Sequence, residues 1–110
     1  MERSINPEDL REHAGEATRL LKALANHQRL MILCLLADQD MNVSELNDRL
    51  DLSQSALSQH LAVLRRDGLV TTRRDAQSIT YSVVDGAAKN ILHVLHDSFC
   101  GQSTNGACET

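Results

Sequence analysis

The chain has 110 residues, about 42% of them hydrophobic, with one Phe, one Tyr and no Trp. That length suits one domain with a modest core, and the scarcity of aromatic rings argues against a stacking platform for single-stranded nucleic acid. The formal net charge of −4 argues at first against any nucleic acid, yet residues 53–84 carry four arginines against two aspartates while residues 1–52 and 85–110 are both net acidic, and local charge decides where phosphate sits.

The N-terminus is acidic and polar, without an apolar signal segment, and the longest apolar run, Leu30 to Ala37, is too short to span a bilayer. A soluble cytoplasmic protein with no membrane partner is expected. In that compartment Cys34, Cys100 and Cys108 are thiols, metal ligands or redox sensors rather than structural disulfides.

In chain order, Asn6-Pro7-Glu8-Asp9 opens a helix: Asn6 caps, Pro7 suits the first helical position and two acids favour the positive helix end. Leu10, Ala14, Ala17, Leu20, Leu21 and Leu24 then recur at spacings of three and four, which predicts one long amphipathic helix. Its stripe suits core packing or contact with a second subunit. The pattern breaks at Ala25-Asn26-His27. A second helix over Gln28 to Ala37 is apolar nearly all round and should be central; Cys34 lies within it. Asp38-Gln39-Asp40 is a turn, Met41-Asn42-Val43 a short extended piece, and Ser44 or Asn42 caps a third helix through Leu46 to Leu50. Asp51-Leu52 turns into Ser53.

Ser53 caps a fourth helix that runs to about Asp67 and stops at Gly68, a C′ glycine. At about 100° per residue Leu57, Leu61 and Leu64 share one side, with Ser55, Ser58, Gln59, Ala62 and Arg66 opposite. A small, polar side fits a major groove, where Gln and Ser reach base edges or phosphates. Alone it would be an ordinary solvated surface; the short helix before it, the tight turn and the ribbon after it point to DNA. His60 falls beside the apolar side and is read as packed. Leu69–Arg73 and Ser78–Val83 are β-rich and joined by Arg74-Asp75-Ala76-Gln77, so the tip presents Arg73, Arg74, Gln77 and Ser78 to phosphate or a minor groove. Asp85 is expected to cap a last helix from Gly86 to about Phe99 with an apolar stripe of Ala88, Ile91, Leu92, Leu95 and Phe99. Residues 101–110 are small and polar, an expected flexible tail. The expected fold is mainly α with a small β-wing, a winged helix-turn-helix over residues 7–100, in the order helix, helix, short strand, helix, helix, strand, strand, helix.

The segment from Leu52 to Leu61 (LSQSALSQHL), the segment from Leu64 to Val70 (LRRDGLV) and the ribbon ending at Tyr81 together resemble the ArsR/SmtB family of winged-helix transcriptional repressors. The segment from Leu24 to Leu33 (LANHQRLMIL) resembles that family's ALANPTRLRIL stretch, and the likeness covers roughly residues 10–100. It implies a homodimer joined through the first and last helices, here by Leu10, Ala14, Ala17, Leu21, Ile91, Leu92 and Leu95. It also implies a near-palindromic double-stranded operator, contacted by Ser53, Gln54, Ser55, Ser58, Gln59, Arg65, Arg66, Arg73, Arg74 and Gln77, and release by an inducer.

Many such repressors bind metal. The family's arsenic-type site resembles Cys-Val-Cys-Asp-Leu-Cys in the third helix; here those positions hold Asn42, Ser44 and Asn47, poor ligands for a soft metal. A second family site uses Asp-x-His and two later histidines. Here Asp85 is followed by Gly86 and Ala87, and nothing completes a tetrahedral set around His93 and His96. Neither metal nor cofactor is expected. The subgroup represented by HlyU, SqrR and BigR carries cysteines at the places of Cys34 (in ILCLL) and Cys100 (in SFCG). That resemblance implies reactive sulfur species or an oxidant as inducer, joining the two thiols by a polysulfide bridge or a disulfide; Cys108 departs from the pattern. The alternatives are a metal-responsive repressor using Cys34, Cys100, Cys108 or the histidine pair, and a winged adaptor that has lost DNA binding, which the acidic total charge favours. No nucleophile–base–orienter set, phosphate loop or metalloprotease motif marks an enzyme. Direct repression and displacement of another silencer remain alternatives.

Overall fold

The computed structural model describes residues 4–101; residues 102–110, with Cys108 and all of the expected tail beyond Gly101, lie outside them. The expected single N-terminal helix is two: α1 (Pro7–Arg11) and α2 (Ala14–Leu24). Asn6 caps α1, its side chain accepting from the Glu8 N–H at 3.0 Å. His13 leaves the helical well at φ −116°, ψ 11°, and its N–H bonds the Leu10 carbonyl three residues back. No residue of α1 is buried, so packing does not hold the joint straight, and Gly15, a weak helix former, follows it.

A joint of 90° separates α2 from α3 (His27–Asp38). Asn26 caps α3 by accepting from the Arg29 N–H at 3.0 Å. Arg29 in turn donates from Nε to the Ala23 carbonyl at 2.9 Å and from Nη2 to the Lys22 carbonyl at 3.3 Å, satisfying groups that the end of α2 leaves free. As its sequence predicts, α3 is central: Ile32, Leu33 and Leu36 are buried and Leu30, Leu35 and Ala37 pack partly against them.

Next come β1 (Met41–Asn42) and α4 (Val43–Arg49). Asn42, not Ser44, is the cap, in a reciprocal box: its side chain accepts from the Glu45 N–H at 2.8 Å and the Glu45 carboxylate accepts from the Asn42 N–H at 2.9 Å. α5 (Gln54–Arg66) starts at Ser53, whose Oγ accepts from the Ala56 N–H at 3.1 Å, and ends before Gly68, which takes the left-handed φ of 77°. β2 (Val70–Asp75) and β3 (Ser78–Val83) pair antiparallel from Val70↔Val83 to Asp75↔Ser78. The turn is therefore two residues, Ala76 (φ 54°) and Gln77, tighter than the four expected. β1 pairs with β3 through Met41↔Tyr81 and Asn42↔Thr80, which makes a three-stranded sheet in the order β1-β3-β2. The buried Met41 side chain thus ties the wing to the core.

α6 (Ala87–His96) gives way to a π-helical turn over Asp97–Gly101, short of the continuous helix to Phe99 that was expected. Asp85 does not cap it. Gly86 holds the N-cap place at φ 149°, ψ −157°, with no side chain to offer, and Asp85 instead pairs with Lys89 at 3.1 Å. Around α3 and α5 the core closes on Ile32, Leu33, Met41, Leu46, Leu57, Leu61 and Leu64, each under 2% exposed. Each such burial is worth about 1.5–3 kcal/mol. Among the described residues no single helix is long and apolar enough to cross a membrane. The architecture is a mainly helical winged helix-turn-helix.

Candidate nucleic-acid interface and thiol pair

Three leucines orient α5. Leu57, Leu61 and Leu64 are at most 1% exposed, so the opposite side of the helix must face out. There Ser55, Ser58, Gln59 and Arg66 are exposed; Gln54 and Arg65 on the flank are exposed too, as is the cap Ser53. His60 is half-buried at the rim, where its angle places it. Ahead of α5, Asn47 Nδ2 donates to the Leu52 carbonyl at 2.9 Å and fixes the turn between α4 and α5. Gln54 and Gln77 line one open cleft of about 680 Å³ with Asn47, Asp48, Ser78 and Ile79. The start of α5 and the wing tip therefore stand on one side of the molecule, and the cleft between them offers amides and hydroxyls with the Asp48 carboxylate and the Ile79 side chain beside them.

The wing separates its two arginines. Arg73 Nε donates to both carboxylate oxygens of Asp75 at 3.2 Å, its Nη2 lies 3.1 Å from Asp75 and its Nη1 3.6 Å from Asp40. Thr80 Oγ1 donates to the same carboxylate at 3.0 Å. The Asp75 hydrogen bond and charge hold the Arg73 guanidinium above its ordinary pKa, while Arg73 first and Thr80 second hold Asp75 below the usual carboxylate range. Arg74 has no side-chain partner among the described residues and neither has Arg65, so within the proposed DNA-contact set these two are uncommitted. Asp40 is the residue that sequence reasoning missed: it sat in a turn, and nothing local pairs it with an arginine 33 positions on.

Cys34 is exposed on α3 and Cys100 is half-buried in the π turn; both are free thiols. Partial burial of the sulfur pushes the Cys34 thiol above its ordinary pKa, and a negative charge on Cys100 pushes it further. The two groups are close enough to feel one another's charge. A cleft of about 250 Å³ opens between α3 and α6, lined by Cys34, Ala37, Asp38, Leu92, His93 and His96. Among the described residues no group of three or more His, Cys, Asp or Glu could hold a metal ion.

The residues assigned to a subunit contact divide. Leu10 and Leu21 are 54% and 55% exposed, Ala14 is exposed, and Ala17, Ile91 and Leu95 are half-buried. Leu92, at 5% exposure, packs in the chain's own core. Val94, at 60%, is open instead.

The pattern of the bacterial regulatory proteins of the arsR family matches residues 26–72. The transcriptional activator HlyU of Vibrio cholerae is 49% identical over 96 residues, which are 87% of this chain and 89% of that protein. The solved structure of reduced HlyU from Vibrio cholerae superposes with a TM-score of 0.79 at 49% identity, covering 84% of this chain and 98% of that one. The transcriptional repressor BigR of Xylella fastidiosa superposes at 0.80 with 36% identity, covering 87% and 98%.

Proposed function

The chain belongs to the arsR family of bacterial regulatory proteins, and from that premise we propose a homodimeric cytoplasmic repressor that leaves its operator when Cys34 and Cys100 are joined. A DNA-binding transcriptional regulator, not an enzyme, is what the family membership means. The inducer, the bridge and the dimer are the proposal.

The observation that carries it is the placement of two free thiols on α3 and just after α6, within reach of one another's charge. The Cys34 thiolate attacks a sulfane sulfur of a polysulfide, displaces the rest of the chain as thiolate and becomes a persulfide. Closure with the Cys100 thiol releases two protons and two electrons, which cleave an S–S bond of a second polysulfide to two thiols. With a non-sulfur oxidant the same two-electron loss gives a plain disulfide.

The bridge acts at a distance because α3 packs against both α5 and α6. Locking the α3–α6 angle tilts α5, and in a dimer the two α5 helices must match half-sites about 34–36 Å apart. A coupling of about 1–3 kcal/mol suffices for a 5- to 150-fold loss of operator affinity. Operator contact falls to Ser53, Gln54, Ser55, Ser58, Gln59, Arg65 and Arg66 on α5, with Arg73, Arg74 and Gln77 on the wing. The test is mass spectrometry of the polysulfide-treated chain beside an operator-release assay. A Cys34–Cys100 cross-link that tracks release is expected. Full release in a Cys34→Ser, Cys100→Ser variant would sink the switch and leave the DNA reading standing.

A further inference from the structure

Four of the chain's eleven lysines and arginines line one cleft. It measures about 550 Å³ and opens between α2 and the C-terminal end of α5, with Arg19, Lys22, Arg29 and Arg66 in its wall and Asp67 as the one carboxylate. In a chain of formal charge −4 this is a local reversal. Three of the four cations, Arg19, Lys22 and Arg29, come from the N-terminal half, whose balance is acidic.

Three of these four cations, Arg19, Lys22 and Arg29, have no carboxylate partner among the described residues. Arg19 and Lys22 have no ion-pair partner among the described residues. Arg66 meets Asp67 at 3.4 Å, but the Asp67 side chain is 8% exposed and that of Arg66 72%, so the guanidinium faces solvent and the carboxylate does not. Arg29 is held in place by its bonds to the Ala23 and Lys22 carbonyls. Its Nη1 group stays uncommitted among the described residues. A guanidinium fixed in advance loses little freedom when it takes an anion.

Helix ends explain part of this. Lys22 and Arg66 stand in the last turns of α2 and α5, where a cation is favourable, and Arg29 serves the carbonyls of α2. Such compensation calls for a cation at each end. It does not call for four cations from three helices around one opening, and Arg19 stands a turn before the end of α2.

We propose that this cleft binds a phosphate group. Guanidinium forks and an ammonium point charge around one opening are the donors phosphate takes. The phosphate has two sources: the backbone of the duplex beside the operator, or a free phosphorylated small molecule. For the first, Arg66 lies on the same side of α5 as Ser55 and Gln59 at about 100° per residue, so the cleft prolongs the proposed DNA surface. That source rests on the DNA-contact reading above; the second does not.

The full-length chain is compared with an Arg19→Gln, Lys22→Gln double variant, both changes at exposed positions outside the proposed base contacts and subunit contact. Matching thermal melts establish that the variant is folded. Calorimetric titration with pyrophosphate, without DNA, reads the free source: the unmodified chain binds and the variant binds at least about tenfold more weakly. The salt dependence of affinity for the duplex upstream of the chain's own gene reads the backbone source. There the slope of log K against log salt falls in magnitude by about 0.9 for each phosphate that the variant no longer neutralises. No pyrophosphate binding together with unchanged slopes overturns the proposal. If the unmodified chain binds no duplex at all, the DNA reading fails and the titration alone decides: binding that the variant loses keeps the cleft, and no binding removes it.

Discussion

In residues 41–83 the large apolar side chains turn inward. Met41, Leu46, Leu57, Leu61, Leu64, Leu69 and Val70 are buried, and Ile79, at 39%, is the one large hydrophobic there left exposed. In the flanking helices α1, α2 and α6 some large apolar side chains stay open: Leu10, Leu21 and Val94 are 54%, 55% and 60% exposed. The same chain thus finishes its burial in the helix-turn-helix and wing and leaves it unfinished in α1, α2 and α6. A finished surface with a polar outside suits a charged, hydrated partner such as DNA. An unfinished one, worth about 25 cal/mol for each Å² later covered, suits an apolar partner, and in the proposed dimer that partner is a second copy of itself.

The largest effect that separates the two regions is on folding. Leu57→Ala removes a side chain with no exposure from the centre of the finished half and should cost about 2–5 kcal/mol in urea denaturation. Leu21→Ala, on the open half, should change the unfolding of the dilute chain by less than about 0.5 kcal/mol. Equal costs would mean that Leu21 is covered in the isolated chain and would end the comparison. The second effect is on association. Leu21→Glu together with Val94→Glu places charge on the open half and should weaken self-association about a hundredfold, near 2.7 kcal/mol, read by sedimentation equilibrium. A wild-type chain that stays monomeric at every concentration would instead assign those residues to a different partner.

A smaller effect sharpens the finished half. Arg74→Ala should lower the magnitude of the salt slope of duplex binding by about 0.9 per phosphate contact. Arg73→Ala should lower it less, because Asp75 and Asp40 already hold that guanidinium. Equal slopes would show that the Arg73–Asp75 pair opens on DNA.

The finished half was legible in the sequence because its signals are local. Ser53 three residues before Ala56, leucines at 57, 61 and 64, and Gly68 just past the end specify α5 within one stretch, and the helix obeys them. The tight wing turn was less so: Ala76 takes a positive φ that its residue type does not announce. The Asp40–Arg73 pair was invisible because β1 brings Asp40 to the wing through tertiary pairing alone. The unfinished half was harder for another reason. A wide apolar stripe says that a helix is covered and not by what, so the buried Leu92 could not be told from its more open neighbours. The break at His13 has the same origin, since a continuous pattern predicts a continuous helix only where packing holds it.

The smallest effect concerns the thiols, which stand where the two halves meet: Cys34 on the central α3, Cys100 at the end of the open half. Burial disfavours the thiolate, and a charged Cys100 disfavours a second negative charge beside it, so both raise the pKa of Cys34. Its thiolate is therefore the minor form at neutral pH and gains about tenfold for each unit of pH below that raised pKa. Because the thiolate is the nucleophile, alkylation of Cys34 by iodoacetamide, followed peptide by peptide, should climb from pH 6 to 8 without levelling off. Replacing Cys100 by Ser removes the like charge, which lowers the Cys34 pKa and should speed alkylation of Cys34 at fixed pH. A slower reaction would mean that the Cys100 thiol stabilises the Cys34 thiolate by donating to it, and the repulsion inferred between the two sulfurs would be wrong in sign.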